Sequence, residues 1–400
     1  MDINRRLKHT RLWFWLLLAS SVLLLAFLFF YYPNYYKVAL AGQQTEAEIT
    51  RTTSRIPGKD AVEVSIAVAQ NMYPATFKDN KPGAVILVPV DDWRSAVLAA
   101  EIIHFPVNAP ILYTERESIP EDTLKEIKRL DPEGNFQDGN TKVILIGNIG
   151  DGVKSQLKKE KFKFRDLTAE NTYELASLLD DYKSMIHANH DDEVIIVPSE
   201  DPAYAILATS WVAHAGHSIF FVNRDSVSDE TRNSLAKRPQ DAFIYVLGSE
   251  EVIPKEIAEE LSGYGHVQRI PGKDAWEMAV GFGSYIDFGR NFGWWIRRTP
   301  RTFGWGVGEA GHNFTFINPK YPLQAVPAAV LSHMGKHGPF LLVKEDEVPD
   351  PVIRYLQKVQ PNFTSSKEQL FNHGWIIGDH TAISNAIQQE VDKFLQVKGP

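Results

Sequence analysis

The stretch RIPGKDA occurs twice in this chain, starting at Arg55 and again at Arg269, 214 positions apart. Glu63 and Glu277 then match two places beyond each occurrence. An identity of that length is a repeat rather than chance, and a repeat sets the size of the folding unit. A degenerate version, DLTAENTYELA from Asp166, places Glu174 in register with Glu63 and Glu277. The unit is about 107 residues, domain-sized rather than the roughly 20–50 of a solenoid.

Between these heads, short apolar runs alternate with amphipathic segments. In copy one, VILVP from Val85 reads as a strand and SAVLAAEIIHF as a helix. PILYT is then a strand, PEDTLKEIKRL a helix, KVILIG a strand and GVKSQLKKE a helix. EVIIVPS from Glu193 repeats the first strand at an offset of 109, IFFVN repeats the second, and FIYVLG the third. FTFIN, FLLVK and WIIG supply a third set, whose first two members lie about 120 beyond their copy-two counterparts, so an insertion precedes them. Strands apolar throughout that alternate with helices indicate parallel sheets covered on both faces. The expected fold is α/β, three tandem Rossmann-like domains over 55–165, 166–268 and 269–400, with the insertion at 289–312.

The N-terminus reads differently. Leu12 to Tyr32 carries no charge across 21 residues, and as a helix it would be about 30 Å long, enough to cross a bilayer. Arg5, Arg6, Lys8 and Arg11 precede it, which assigns residues 1–11 to the cytoplasm and the C-terminal part to the cell-wall side. The expectation is a transmembrane signal anchor over 12–32 and a linker over 33–54, with the aromatics of YYPNYY at the outer interface. A cleaved signal is the rival, with Ala39-Leu40-Ala41 as its site, although the apolar core is longer than such signals use. Both readings export residues 45–400. The formal charge is −8 overall and +3 over residues 1–11 (four Lys/Arg against Asp2), leaving about −11 on the rest, which argues against nucleic acid as a partner. The chain has no cysteine, which excludes disulfides, thiolate metal sites and a cysteine nucleophile.

With the repeat in view, the chain resembles the bacterial cell wall-binding repeat of type 2, whose pattern opens R-x-x-G-x-D-R-Y-x-T-A. Arg55, Gly58 and Asp60 match that opening, as do Arg269, Gly272, Asp274, Trp276 and Ala279. Pro110 to Thr114 matches the family's P-I-L-L-T strand, and Tyr321 to Val326 loosely echoes its F-P-D-A-L stretch. The resemblance covers about residues 55–396. It implies non-catalytic binding of anionic wall polymer by three domains packed around a pseudo-threefold. The chain departs from the pattern in two places. The family's second arginine is Ala61 in copy one and Ala275 in copy three, and its F-P-D-A-L aspartate falls on Ser95, Tyr204 and Gln324.

Other constellations carry less. Gly306-Val307-Gly308-Glu309-Ala310-Gly311 spells G-x-G-x-x-G but precedes a strand rather than opening a helix, so it reads as a flexible loop and no cofactor is expected. His214 and His217, and His333 and His337, have spacings that share a helix face. Neither pair has the glutamate of H-E-x-x-H, so these read as packing or surface histidines and no metal is expected, as do His187 and His190 in a loop. No G-x-S-x-G is present. Asp91-Asp92 and Glu200-Asp201 follow the first strands of their copies, where open α/β sheets place ligands, or they are solvated loop residues.

The insertion Gly289 to His312 holds Trp294, Trp295 and Trp305, three of the nine tryptophans, together with Arg297, Arg298 and Arg301. Arginine forks grip phosphate or carboxylate oxygens and aromatic faces stack on sugar rings, so these six residues are the candidate polymer-binding set. Packing of a domain junction is the alternative. The expected function is a membrane-anchored, non-enzymatic protein whose partner is an anionic cell-wall polymer or peptidoglycan-linked glycan. An envelope scaffold that docks a protein partner is the second reading, and an envelope hydrolase or transferase using an inter-domain cleft the third.

Overall fold

The computed structural model describes residues 15–16, 18–21, 48–77, 80–104, 107–287, 303–362 and 371–398. In the N-terminal unit, residues 15–16 and 18–21 are helical. Among the described residues no helix is long and apolar enough to cross a membrane. Most of segment 12–32, on which the anchor expectation rests, lies outside the described residues, as does most of the linker.

Residues 48–400 form one compact unit built on three parallel four-stranded sheets. The chain opens with β1 (Thr53–Ile56), which claims the last two residues of the expected linker, and then α1 (Ala61–Met72). Copy one continues with β2 (Val85–Pro89), α2 (Trp93–Ala99), β3 (Ile111–Thr114), α3 (Glu121–Leu130), β4 (Val143–Ile146) and α4 (Asp151–Lys159). The helix read through SAVLAAEIIHF ends at Ala99 and tightens to a 3₁₀ turn over Ala100–Ile102. Copy two runs β5 (Phe164–Leu167), α5 (Thr172–His187), β6 (Glu193–Pro198), α6 (Pro202–Ala215), β7 (Ser218–Val222), α7 (Asp229–Leu235), β8 (Phe243–Val246) and α8 (Lys255–Leu261). Copy three has β9 (His266–Arg269), α9 (Ala275–Ser284), β10 (Asn313–Ile317) and α10 (Pro322–Ala325), then α11 (Val330–His333), β11 (Phe340–Leu342), α12 (Asp350–Lys358), β12 (His373–Ile377) and α13 (Asn385–Leu395).

The strand orders are β3-β2-β4-β5, β7-β6-β8-β9 and β11-β10-β12-β1. Every sheet therefore takes its fourth strand from the head of another copy. β5 and β9 extend the sheets that precede them, and β1 crosses from the start of the chain to pair with β12, with Ile56 opposite Ile377. Strands β2, β3 and β4 are wholly buried, although β3 also ends its sheet, whereas the edge strands β5 and β9 are half exposed. That is why the first three read as apolar runs and β5 and β9 do not.

The helix after the first inner strand packs the copies together. In α6 every residue from Tyr204 to Ala213 is buried, the pattern of a helix surrounded by protein. It packs on α2 and the 3₁₀ turn of copy one, and on α9, α10 and α11 of copy three. One apolar core runs through all three sheets, and a second lies beneath α12 and α13.

Candidate functional site

The head signature folds into a local device present in all three copies. Asp60 Oδ1 accepts from the Glu63 N–H at 2.9 Å, and Glu63 Oε2 accepts from the Lys59 N–H at 3.0 Å. Asp274, Glu277 and Lys273 repeat this at 2.8 and 3.2 Å. In copy two Asn171 accepts from Glu174 N–H at 3.0 Å, and Glu174 from Glu170 N–H at 3.1 Å. Each pair satisfies two helix-end donors reciprocally, as a capping box does. Gly58 and Gly272 form the preceding turn. A Cβ would stand 2.6 Å from Val64 N at the first and 2.4 Å from Met278 N at the second, so the turn can rest on the helix only without a side chain.

The signature arginines tie each head strand to the turn after its neighbour in the same sheet, β12 for Arg55 and β8 for Arg269. Arg55 is buried, and its Nε donates to Gln388 Oε1 at 2.9 Å while Nη1 donates to the Gly378 carbonyl at 2.9 Å. Arg269 makes the equivalent bonds to the carbonyls of Gly248 and Ile253. In copy two Asp166 occupies this position and pairs with Lys154 at 2.6 Å. Ser95, Tyr204 and Gln324, which stand where the resembled repeat has its aspartate, are all buried. Tyr204 donates to Ser249 at 3.1 Å, and Gln324 to the Lys59 carbonyl at 3.3 Å.

Beside the copy-one head lies a groove of about 670 Å³ between α1 and α3. Val62, Ile66 and Ala67 give it an apolar floor, and Lys59, Lys125, Arg129 and His380 stand on its rim with Glu63 and Asp122. Arg129 is fixed by Glu126 at 2.6 and 2.7 Å and by the Tyr73 carbonyl at 2.8 Å. Copy three has a counterpart of about 370 Å³ between α9 and α12, with Val280 and Gly281 for floor and Arg354 and Lys358 at the rim. In copy two the corresponding helices α5 and α7 meet directly, with Ser234 Oγ donating to Ser177 Oγ at 2.9 Å and Lys237 paired to Asp181. A groove of this size with an apolar floor and mixed donors and acceptors can hold a short stretch of polymer.

Of the insertion's candidate residues, Trp294, Trp295, Arg297, Arg298 and Arg301 lie outside the described residues. Trp305 is half buried at the junction of copies two and three. It stacks on His214 (centroids 5.7 Å, 23°), meets Trp211 edge-on at 5.2 Å, and its Nε1 is buried with no hydrogen-bond partner. Phe303 stacks on Tyr245 and packs on Trp211. This end of the insertion fills a junction. The G-x-G-x-x-G that follows runs into β10, with no helix between.

The histidine pairs do not share helix faces as their spacing implied. Gly216, at φ +80°, ends α6 before His217, and α11 ends at His333 before Gly335 at φ +85°. Tertiary packing still gathers them. Trp211 Nε1 donates to His217 Nδ1 at 3.0 Å, and burial pushes His217 down to about 4. Burial and the charges of His104, His214 and His337 push His333 down to about 4 as well.

Copy two also contains a buried charge network that the sequence did not disclose. Arg238 pairs with Asp180, both almost fully buried, and Lys183 Nζ lies 2.7 Å from Asp191 and 3.5 Å from Glu101. Burial raises Glu101 to about 8 despite Lys183. Burial alone would raise Asp180, but the bonds and charge of Arg238, then Ser218 and Lys183, hold it below its ordinary value. Asp91 accepts from Arg116 at 2.9 Å, while Asp92 and Asp201 cap α2 and α6. These acids are committed to structure.

No family model matches the chain. It is 24% identical over 227 residues to the amidase enhancer of Bacillus subtilis (strain 168), covering 55% of this chain and 29% of that protein. It is 20% identical over 232 residues to the N-acetylmuramoyl-L-alanine amidase LytC of the same organism, covering 57% of this chain and 42% of that protein. The chain thus spans less than half the length of these curated relatives. Among solved structures, Cwp8 from Clostridium difficile matches with a TM-score of 0.64 at 17% identity, over 86% of this chain and 52% of that one. Cwp6 from the same organism matches with a TM-score of 0.66 at 17% identity, over 88% and 50%. The chain shares with Cwp8 and Cwp6 an α/β fold that accounts for nearly all of its own length and half of theirs.

Proposed function

We propose that this chain is a non-catalytic, extracytoplasmic binder of cell-wall polymer, anchored in the membrane by segment 12–32, with its three copies packed around a pseudo-threefold. The main support is that Cwp8 and Cwp6 share the fold over 86% and 88% of this chain, and that the heads of this chain's copies resemble the wall-binding repeat. Of the curated relatives, the amidase enhancer fits the non-catalytic part of this reading, whereas the other is named as an N-acetylmuramoyl-L-alanine amidase. In this reading the polymer lies along the grooves of copies one and three. Arg297, Arg298, Arg301, Trp294 and Trp295 grip its anionic groups and sugar rings. The signature residues Arg55, Asp60, Arg269 and Asp274 shape the turns that border the grooves, and Gly58 and Gly272 line the grooves themselves.

Co-sedimentation of purified residues 45–400 with isolated cell walls, before and after acid stripping of anionic polymers, tests the proposal. Binding that disappears on stripping supports it. Binding that persists moves the ligand to peptidoglycan itself, and no binding to either wall overturns the proposal in favour of a protein-docking role.

A further inference from the structure

We propose that His104, His214, His333 and His337, which meet where the three copies join, bind one divalent transition-metal ion that ties the copies together. His104 follows the 3₁₀ turn of copy one, His214 lies in the last turn of α6, and His333 ends α11. They are 110 and 119 residues apart, close to the repeat offsets, so each copy contributes its histidine from nearly the same place. The rings of His104 and His333 are 5.2 Å apart, and those of His214 and His337 4.6 Å. Three of the four are half buried and His337 is exposed, so an ion reaches the cluster from solvent.

The donor chemistry suits such an ion. Imidazole is a ligand for zinc, copper and nickel. His337 Nδ1 lies 2.5 Å from the Ser332 carbonyl, and His333 Nε2 lies 3.0 Å from Asn108 Oδ1. Bonds of this kind fix the tautomer and orient the ring, leaving the other nitrogen for a metal.

A competing group exists. Among the described residues, Asp180, Asp181 and His190 have donor atoms already within 4.8 Å of one another. There, however, Arg238 holds Asp180 and Lys237 holds Asp181, so the cationic places are filled. Closing the histidine cluster on an ion at about 2.0–2.1 Å requires small ring adjustments, made about the bonds that already orient His333 and His337.

The test is calorimetric titration of tag-free residues 45–400 with Zn²⁺ at pH 7, paralleled by Co²⁺ absorption, whose visible bands report nitrogen coordination. The expected result is about one ion per chain and a melting temperature that rises with Zn²⁺. His337→Ala, at an exposed position that leaves the fold intact by circular dichroism, should weaken binding about tenfold or more, by analogy with supporting-shell losses. The double variant His214→Gln/His333→Gln should abolish it, and His190→Ala should leave it unchanged. Absence of binding at millimolar Zn²⁺, or binding indifferent to His337→Ala and the double variant, overturns the proposal. Loss with His190→Ala alone also overturns it, by moving the ion to the acidic group.

Discussion

Arg55 Nη1 donates to the Gly378 carbonyl at 2.9 Å, so a side chain from the first strand of the compact unit is bonded to the turn after its last strand. Around this contact the two chain ends are laced together. Gln388 bonds both Arg55 and Thr53, and Asp392 accepts from Thr50 and Thr52. The compact unit is closed into a ring by non-covalent bonds alone.

Arg55→Ala should therefore destabilise residues 45–400 by about 2–4 kcal/mol, because buried acceptors lose their donor and a cavity is left. Arg269→Ala, at a half-buried position with two carbonyl partners, should cost less, about 1–2 kcal/mol. Urea unfolding midpoints of the two variants check the order, and equal losses would mean that ring closure adds nothing to an ordinary strand junction.

Loss of a capping residue should be the same in different copies. Asp60→Ala and Asp274→Ala should each cost about 1 kcal/mol. The double variant should show their sum, since the two caps share no partner. Chemical denaturation of the three proteins decides this, and a markedly smaller sum would show that the heads are coupled.

The buried network around Lys183 should respond unequally to its members. Glu101→Gln keeps an acceptor for the Ile219 N–H, which Glu101 Oε1 holds at 3.0 Å, and removes a carboxyl that burial already favours in neutral form, so its cost should be under about 1 kcal/mol. Lys183→Met removes the cation between Glu101 and Asp191 and should cost about 3 kcal/mol or more. Thermal unfolding of both variants at pH 7 is the measurement.

Acid should weaken the fold in a defined window. Asp180 and Asp392 are held below the ordinary carboxylate value, in each case because hydrogen bonds outweigh the effect of burial. Their stabilisation is complete above the unfolded value of about 4 and is lost as pH falls through the folded values. His217, about 4 when folded against roughly 6.5 unfolded, takes up protons more readily in the unfolded chain, so it adds a loss that begins below about pH 6.5. Urea stability measured with a chelator present should fall continuously from pH 6.5 to 3. His333 adds a second loss of the same sign. Glu101, raised to about 8, gains stability over the same span, so the net fall tracks two histidines against one carboxyl. A profile that rises from pH 6.5 to 4.5 would show that the histidines are not buried in solution.

Filling the copy-one groove should separate binding from folding. Ala67→Trp places a large ring on the groove floor at a half-buried position. It should reduce wall co-sedimentation several-fold while leaving the unfolding midpoint within about 1 kcal/mol. Replacement of Arg297, Arg298 and Arg301 by alanine should weaken wall binding with a strong salt dependence. Unchanged sedimentation in both variants would place the ligand elsewhere.

The inner strands were legible because a parallel strand buried on both faces is apolar at nearly every position, as in β2 and in β6 after Glu193, while β10 still shows its apolar residues around buried Thr315. The capping residues Asp60 and Asp274 were legible as repeated letters, although their role as helix caps emerges only from their backbone position. The head strands β1, β5 and β9 left little trace. β5 and β9 are half exposed at sheet edges, where four residues carry no period. β1, though mostly buried, includes polar Thr53 and Arg55, whose partner Gln388 lies at the far end of the unit.

The sequence by itself determined the unit, its number and its α/β character, since hydrophobic pattern and repetition are local properties of the chain. Only the tertiary structure decided which sheet each head joins, that β1 closes on β12 across more than 300 residues, and that Trp305 fills a junction. It alone brought His104, His214, His333 and His337 together. Each of these depends on how the copies pack, and a side chain's neighbours across such a junction are set by distance in space, which the spacing of letters does not encode.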